Sequence, residues 1–254
     1  MSIAQRVIGN VALPRWAFVP LHDFYIAFGL IGIASSILAI AQAFDYHPFV
    51  QWLPDQAPGL FFNPTHASAA LSMLAVTLWI NNLGWFIPAL LPGLYLAHSR
   101  GGWAALAVGF GATYIRQPLV FLIAALALGL YWAHNPSPSD LQRLDIWSAA
   151  WINLHFWGNG PDSFMNLYMG PLNHLIHPEY VHNDYLQTVF EYGIWSLIPF
   201  TVLLLAVRRT HVRAWPILVT FMFLATFTMP MHMPLPLTLG ALALVLTIME
   251  PLDA

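Results

Sequence analysis

The sequence contains no cysteine and no lysine, and it has few charged residues of any kind. Without cysteine, a disulfide framework, a thiolate metal site and a cysteine nucleophile are excluded. Only 7% of the 254 residues are charged and 59% are hydrophobic, whereas a soluble domain typically carries about 25% charged residues. So little charge could not cover a water-facing exterior. The composition therefore predicts an all-α integral membrane protein.

The formal net charge of -3 also excludes one class of partner. Proteins that bind nucleic acid usually carry a basic patch, and here arginine supplies every fixed cation. We therefore expect membrane lipids as partners and no nucleic acid.

Long apolar runs divide the chain into candidate membrane spans. A helix needs about 20 apolar residues to cross the hydrocarbon core. The runs predict about eight transmembrane helices in a single membrane domain, 1–254, with one large external loop that contains short helices, 135–187. The predicted spans are 24–43, 66–83, 85–97, 103–115, 118–133, 188–207, 215–229 and 235–249.

The arginines predict the orientation, because cytoplasmic loops carry an excess of basic residues. An uncleaved cytoplasmic N-terminus places six of them inside: Arg6, Arg15, Arg116, Arg208, Arg209 and Arg213. The C-terminus is then cytoplasmic as well. Arg100 and Arg143 are left on the external side, together with the loop 135–187. Two arginines that break the rule beside a polar loop indicate a functional site there.

The loop is polar but contains many aromatic residues, which is typical of a folded cap. Its first part, 140–154, has helical spacing. Leu141, Leu144, Trp147, Ala150 and Trp151 fall on one side, which we expect at the bilayer surface, with Arg143 on the other.

Two further segments have a special backbone composition. Trp157 to Phe164 contains two glycines and a proline, which favour a tight turn and allow close backbone approach to a ligand. Met229 to Pro234 alternates methionine with proline and histidine, which predicts an external turn whose methionines pack against neighbours.

The segment His182-Asn183-Asp184-Tyr185-Leu186-Gln187 precedes the sixth span and is followed by Glu191 and Gly193. A neutral imidazole could take a proton from a hydroxyl, and a nearby acid could orient the ring. In the alternative interpretation, Asn183 or Asp184 caps the helix and His182 bonds a loop carbonyl. The local pattern leaves both interpretations open.

These residues resemble the O-antigen ligase and O-antigen polymerase superfamily of bacterial envelope glycan transferases. The resemblance covers 59–200, and family members usually have more spans than are predicted here. It rests on five segments in the family's order: Gly59-Leu60-Phe61-Phe62-Asn63-Pro64; Ser99-Arg100-Gly101-Gly102; Arg143 with Ile146-Trp147; Gly158-Asn159-Gly160 with Ser163-Phe164; and His182 to Gln187 with Glu191 and Gly193.

The resemblance implies a glycosyltransferase of the bacterial inner membrane whose active loop is periplasmic. Its donor is a glycan on undecaprenyl diphosphate, and its acceptor is a hydroxyl of lipid A core, of another glycan or of a protein. Arg100 and Arg143 would bind the diphosphate, because guanidinium groups suit phosphate oxygens. His182 would be the catalytic general base in an inverting transfer that needs no cofactor and no metal. Asn183, Asp184 and Glu191 are candidates to support it, Glu191 from the first turn of the sixth span.

Two alternatives belong to other classes. A membrane metalloenzyme could use His174, His177 and His182 as ligands, although Pro178 interrupts the segment and the spacing fits no helical ligand pattern. A lipid-glycan transporter would be expected to carry charge inside its spans, and the predicted spans contain almost none.

Overall fold

The computed structural model describes residues 21–44, 57–61, 63–115, 134, 138–165, 180–210, 212–228, 230–232 and 234–249. Over these residues the chain is helical and contains no strand, which confirms the all-α prediction for this part. The helices described over their whole length are α1 (Leu21–Ala43), α2 (Pro64–Ile80), α3 (Ile87–Leu96), α4 (Arg100–Tyr114), α5 (Pro138–Ile152), α6 (Asp184–Tyr192), α7 (Leu197–Thr210), α8 (Trp215–Phe227) and α9 (Pro234–Met249).

Helix α2 is the centre of the bundle. It contacts α1, α3, α4, α8 and α9, and every residue from Ala67 to Leu78 is buried. A helix that is apolar all round has to be buried on all sides, and α2 has that composition. Its few polar side chains bond to helix carbonyls. The Ser72 hydroxyl, for example, reaches the Gly102 carbonyl of α4 at 2.8 Å.

The predicted first span is confirmed as a helix that is long and apolar enough to cross a membrane. Helix α1 has 23 residues, which corresponds to about 34 Å at 1.5 Å per residue, and the hydrocarbon core is about 30 Å thick. Among the described residues it is the one helix that meets this requirement, by length and composition.

The prediction of eight transmembrane helices is not supported by the helix lengths. The other strongly apolar helices are shorter, in the segments Pro64–Ile80, Gly84–Leu96, Trp215–Phe227 and Pro236–Ile248. Their ends are set by local signals. Asn63 caps α2 by accepting a hydrogen bond from the Thr65 amide at 2.8 Å, and Asn82, with φ 60°, follows its last turn. The predicted fifth span, 118–133, lies outside the described residues.

The predicted sixth span, 188–207, is wrong because the chain breaks at Gly193. Helix α6 ends at Tyr192, Gly193 has φ 82°, and a 3₁₀ turn at Ile194–Ser196 leads into α7. Glycine tolerates this backbone conformation, which other residues rarely adopt. Helix α6 therefore belongs to the polar loop rather than to a span.

Helices α5 and α6 and the turn between them form a small folded unit, which we name the cap (138–165 and 180–192). Its own apolar core consists of Ile146, Ala150, Phe164, Val181 and Phe190. The cap contacts the bundle through α6, where the Tyr185 hydroxyl donates to the Met222 carbonyl of α8 at 2.9 Å. The predicted folded cap is therefore present in the described part of the loop.

The arginines of α4 and of the 3₁₀ turn at Val212–Ala214 lie at opposite ends of the bundle. Arg213 donates to the carbonyl of Ile80, at the C-terminal end of α2, at 3.3 Å, and it shares a cavity with Thr113, near the C-terminal end of α4. Arg100 occupies the first turn of α4, at its other end.

Candidate functional site

His182 lies in a left-handed backbone conformation at the edge of the cap, with φ 58°. Its neighbour Val181 is fully buried, and both backbone groups of Val181 are hydrogen-bonded. The Val181 amide donates to Gln187 Oε1 at 2.7 Å, and its carbonyl accepts from Trp147 Nε1 at 2.9 Å. A histidine with positive φ is uncommon, and such a conformation persists only where the surrounding structure holds it.

Asn183 acts as the N-cap of α6. Its side-chain oxygen accepts a hydrogen bond from the Leu186 amide at 3.0 Å, in the usual geometry of a capping asparagine. Of the two sequence interpretations of this residue, the structure therefore supports capping.

Arg143 lies on the face of α5 that packs against the segment around His182. It shares this face with Ile146, Trp147 and Ala150, which follow it by three, four and seven residues. The prediction that Arg143 projects away from Trp147 and Ala150 is wrong.

Helix α5 therefore exposes a different set of apolar residues. The Ile146 side of the helix is occupied by the cap core, so Leu141, Leu144 and Trp151 lie on the opposite, exposed side, with Trp151 71% exposed.

The positive charge of Arg143 acts on His182. Burial, and next the positive charge of Arg143, lower the pKa of His182 from 6.5 to about 4. Both causes act against the protonated ring, because burial disfavours any charge and a cation within electrostatic reach disfavours a second positive charge. The imidazole is therefore neutral at neutral pH and lies in the field of a fixed cation.

The sequence suggests that Asp184 could orient His182, but in the structure Asp184 is bonded to His232. Its side chain is fully buried, its Oδ1 lies 2.7 Å from Nδ1 of His232, and its Oδ2 accepts from the Met231 amide at 2.9 Å. The hydrogen bond that His232 donates to Asp184 raises the pKa of His232 most, and the charges of Asp184, Glu191 and Asp162 also raise it. His232 is the functional candidate that the sequence reasoning missed, since the Met229–Pro234 segment was interpreted as packing.

Glu191 lies in the last turn of α6, not in the first turn of a span as predicted. Its carboxylate accepts a hydrogen bond from the Gln187 side chain, and burial raises its pKa. Gln187 in turn accepts from the amide of Val181, next to His182. Glu191 is therefore connected to the His182 segment through Gln187.

The Gly158-Asn159-Gly160 turn docks on the C-terminal end of α6. The Asn159 amide donates to the Phe190 carbonyl at 2.8 Å, and the Gly160 amide donates to the Glu191 carbonyl at 2.9 Å. These bonds satisfy carbonyls that a helix end leaves without partners. The close backbone approach predicted for this turn is thus to α6, since a Cβ at Gly158 would lie 2.3 Å from the Glu191 carbonyl oxygen.

A small cavity of about 160 Å³ opens beside this network and is lined by Asp162, Met165, Tyr180, Gln187 and Glu191. The Tyr180 ring lies 4.9 Å from the ring of His232. Two carboxylates, an amide and an aromatic ring therefore surround a space next to the Asp184–His232 pair. Asp162 and Tyr180 carry no local motif that marks them in the sequence.

Arg100 is exposed in the first turn of α4, where Ser99 caps the helix by accepting from the Gly102 amide at 3.4 Å. A Cβ at the next residue, Gly101, would lie 3.9 Å from Thr228, which follows α8 and precedes the turn that contains His232. Arg100 thus lies at the same end of the bundle as the Asp184–His232 pair, and within a helix rather than in a loop.

The residues of the metalloenzyme alternative are only partly described. His174 and His177 lie outside the described residues, and in the described ranges no group of three or more His, Asp or Glu side chains is arranged to hold a metal ion.

Comparison with known proteins finds no family model that matches the chain, and no curated protein matches its sequence.

Proposed function

We propose that this chain is a membrane glycosyltransferase of the O-antigen ligase or polymerase type. It moves a glycan from undecaprenyl diphosphate to an acceptor hydroxyl on the external face of the bacterial inner membrane. The observation that carries the proposal is the electrostatic effect of Arg143 on the buried His182, since the guanidinium lies near enough to oppose protonation of the imidazole. A diphosphate-linked sugar needs both a fixed cation for the leaving group and a neutral base for the acceptor.

The multi-pass membrane location is part of this proposal. It is supported by α1, by the low charge of the chain and by apolar side chains that point out of the bundle. Exposed apolar residues occur along three helices: Leu30, Ile37 and Ile40 in α1; Ile198, Val202, Leu203 and Leu205 in α7; and Leu237, Leu242 and Val245 in α9. Such an extensive apolar exterior is unusual for a water-soluble protein and suits contact with lipid.

In the proposed orientation the cap is periplasmic and both termini are cytoplasmic. The chain would then cross the membrane about eight times, with the shorter helices tilted or partly re-entrant. The last turn of α7 contains Arg208 and Arg209, and the 3₁₀ turn after it contains Arg213. We assign all three to the cytoplasmic side, where basic residues accumulate. The polyprenyl tail of the donor can remain in hydrocarbon while its diphosphate reaches the cap.

The proposed reaction is a single displacement at the anomeric carbon. The acceptor oxygen forms a bond to that carbon, its proton passes to the imidazole of His182, and the bond from the carbon to the phosphate oxygen breaks. The undecaprenyl diphosphate leaves with the electron pair, and Arg100 and Arg143 stabilise its charge. Displacement from the opposite face inverts the configuration. The scheme needs no metal because two guanidinium groups supply the positive charge.

The donor itself would improve the base. A diphosphate bound to Arg143 offsets the positive charge that opposes protonation of His182, so the pKa of His182 rises when the donor binds. The imidazole then becomes a stronger base only in the complex that is ready to react.

Transfer by purified protein in proteoliposomes tests the proposed function. With an undecaprenyl-diphosphate-linked glycan and lipid A core acceptor, or a second lipid-linked glycan, we expect a product of inverted anomeric configuration. A chelator should leave its rate unchanged. Loss of activity with chelator and recovery with zinc or iron would favour the metalloenzyme that uses His174, His177 and His182, and movement of intact lipid-linked glycan without bond cleavage would favour the transporter.

The acceptor can be identified in cells. Loss of all long chains from lipopolysaccharide in a deletion strain indicates ligation to lipid A core, and products with a single repeat indicate polymerisation. Unchanged lipopolysaccharide together with loss of glycan from protein indicates a protein acceptor.

A further inference from the structure

The Asp184–His232 pair connects the cap to the bundle across 48 positions of sequence. Both carboxylate oxygens of Asp184 are used by the turn at Pro230–His232, one by the His232 ring and one by the Met231 amide. Asp184 is fully buried, and a buried carboxylate is costly unless it is hydrogen-bonded in this way. The first residue of α6 is therefore fixed to the segment between α8 and α9.

His182 precedes Asp184 by two residues and has the left-handed backbone already described. A non-glycine residue in this region is strained, so its neighbours have to hold it. On one side Val181 is bonded to Trp147 and Gln187, both within the cap. On the other side Asn183 caps α6, and the next residue, Asp184, is hydrogen-bonded to the Pro230–His232 turn of the bundle.

We propose that the Asp184–His232 pair is a positioning pair for His182: by fixing the start of α6 to the Pro230–His232 turn, it holds the His182 imidazole beside Arg143 in the geometry that glycan transfer needs. The inference rests on the proposed function for its catalytic consequence. The dependence of the His182 position on His232 is a structural claim and does not require the proposed function.

The hydrogen bond to Asp184 holds the His232 ring in place, and substitution can separate this positioning role from a role in proton transfer. Its Nδ1–H donates to Asp184, and its ring packs on Tyr180. An asparagine at 232 can place its side-chain amide nitrogen near the position of Nδ1 and can still donate to Asp184. A leucine at 232 fills a similar volume and donates nothing. Comparing the two variants separates a positioning histidine from a histidine that carries a proton.

The experiment compares His232→Asn and His232→Leu with the wild type, with His155→Gln as the control at an exposed cap histidine. We expect His232→Leu to lower kcat at least tenfold with the donor KM changed less than twofold, and His232→Asn to keep most of the activity. Equal loss in both variants would overturn the proposal, because His232 would then act chemically. Wild-type rates in both variants would overturn it as well.

A second readout needs no substrate. We expect the His182 ring, followed by NMR in protein labelled at histidine, to titrate near pH 4 in the wild type and in His232→Asn. In His232→Leu we expect it to move towards 6.5, because the freed segment exposes the ring to water. An unchanged titration in His232→Leu would overturn the proposal even if no glycan transfer is ever observed.

A third variant covers the case in which His232→Leu does not fold. Asp184→Ala removes both hydrogen bonds to the Pro230–His232 turn and adds no volume. It should shift the His182 titration in the same direction as His232→Leu, and no shift in a folded Asp184→Ala protein would contradict the positioning role.

Discussion

The guanidinium of Arg143 acts on the imidazole of His182 although the two residues are separated by 39 positions and belong to different segments of the cap. Helix α5 presents Arg143 one turn before Trp147, and Trp147 bonds to the carbonyl that precedes His182. This hydrogen bond connects the helix that carries Arg143 to the segment that carries His182, and the proposed chemistry depends on that connection.

Replacing Arg143 with glutamine is expected to raise the pKa of His182. The value should move above about 4 but stay below the ordinary 6.5, because burial is the larger of the two causes and remains. NMR titration of histidine-labelled protein measures the change. Arg209→Gln, an exposed arginine at the end of α7, is the matched control and should leave the value near 4. An identical titration in Arg143→Gln and the wild type would remove the electrostatic link.

His182 should also make stability depend on pH. Its pKa is lower in the folded chain than in the unfolded chain, so its contribution is fully present above about pH 6.5 and is lost as the pH falls towards 4. The loss is at most about 3.5 kcal/mol, since one pKa unit corresponds to about 1.4 kcal/mol.

His182→Asn removes this ring and keeps a residue that tolerates positive φ. Thermal unfolding at pH 7.5 and pH 4.5 should therefore show a smaller acid loss in His182→Asn than in the wild type. His232, whose pKa is raised, contributes in the opposite direction, but it does so equally in both proteins. Equal acid losses would show that His182 is not buried as a neutral ring.

Gly158 and Gly160 form a matched pair for the docking of the turn on α6. Both have positive φ, so alanine at either position costs about 1 kcal/mol of backbone strain. A Cβ at Gly158 would in addition lie 2.3 Å from the Glu191 carbonyl oxygen and 2.6 Å from the Gly193 amide nitrogen, whereas a Cβ at Gly160 meets nothing within 4 Å. Gly158→Ala should therefore lower the melting temperature much more than Gly160→Ala. Equal effects would mean that the turn does not dock on α6.

The absence of cysteine makes the proposed topology directly measurable. Cysteine introduced at His155 in the cap and at Arg209 at the end of α7 would lie at exposed positions on opposite sides of the membrane. In intact cells with a permeable outer membrane, a membrane-impermeant maleimide should label the first variant and not the second. Labelling both variants equally would contradict the orientation.

Local patterns predicted the apolar helices well, because a long apolar run such as 24–43 has few alternatives. They also indicated Asn183 as a possible N-cap residue of a helix, and the structure supports this role. The break at Gly193 was missed, although a glycine after Glu191-Tyr192 is a common helix end. The sequence did not predict that Arg143 lies on the buried side of α5, because this helix carries apolar residues on both sides. Only the position of Val181 and Phe190 decides which side is buried.

The Asp184–His232 pair could not be predicted from either segment alone. The two residues are far apart in sequence, and nothing in a methionine-rich and proline-rich turn indicates a carboxylate partner. Pairings of this kind depend on how α6 packs against α8, which is a property of the whole bundle.

The measurement that tests the central claim most directly is the rate of glycan transfer by four variants in the same proteoliposome assay. We predict that Arg100→Ala, Arg143→Ala and His182→Ala each lower the rate at least about a hundredfold, the usual scale for a lost base or charge stabiliser. Glu191→Ala should be milder, because Glu191 reaches His182 only through Gln187 and Val181. Full activity in His182→Ala, with the wild type active, would contradict the proposed mechanism.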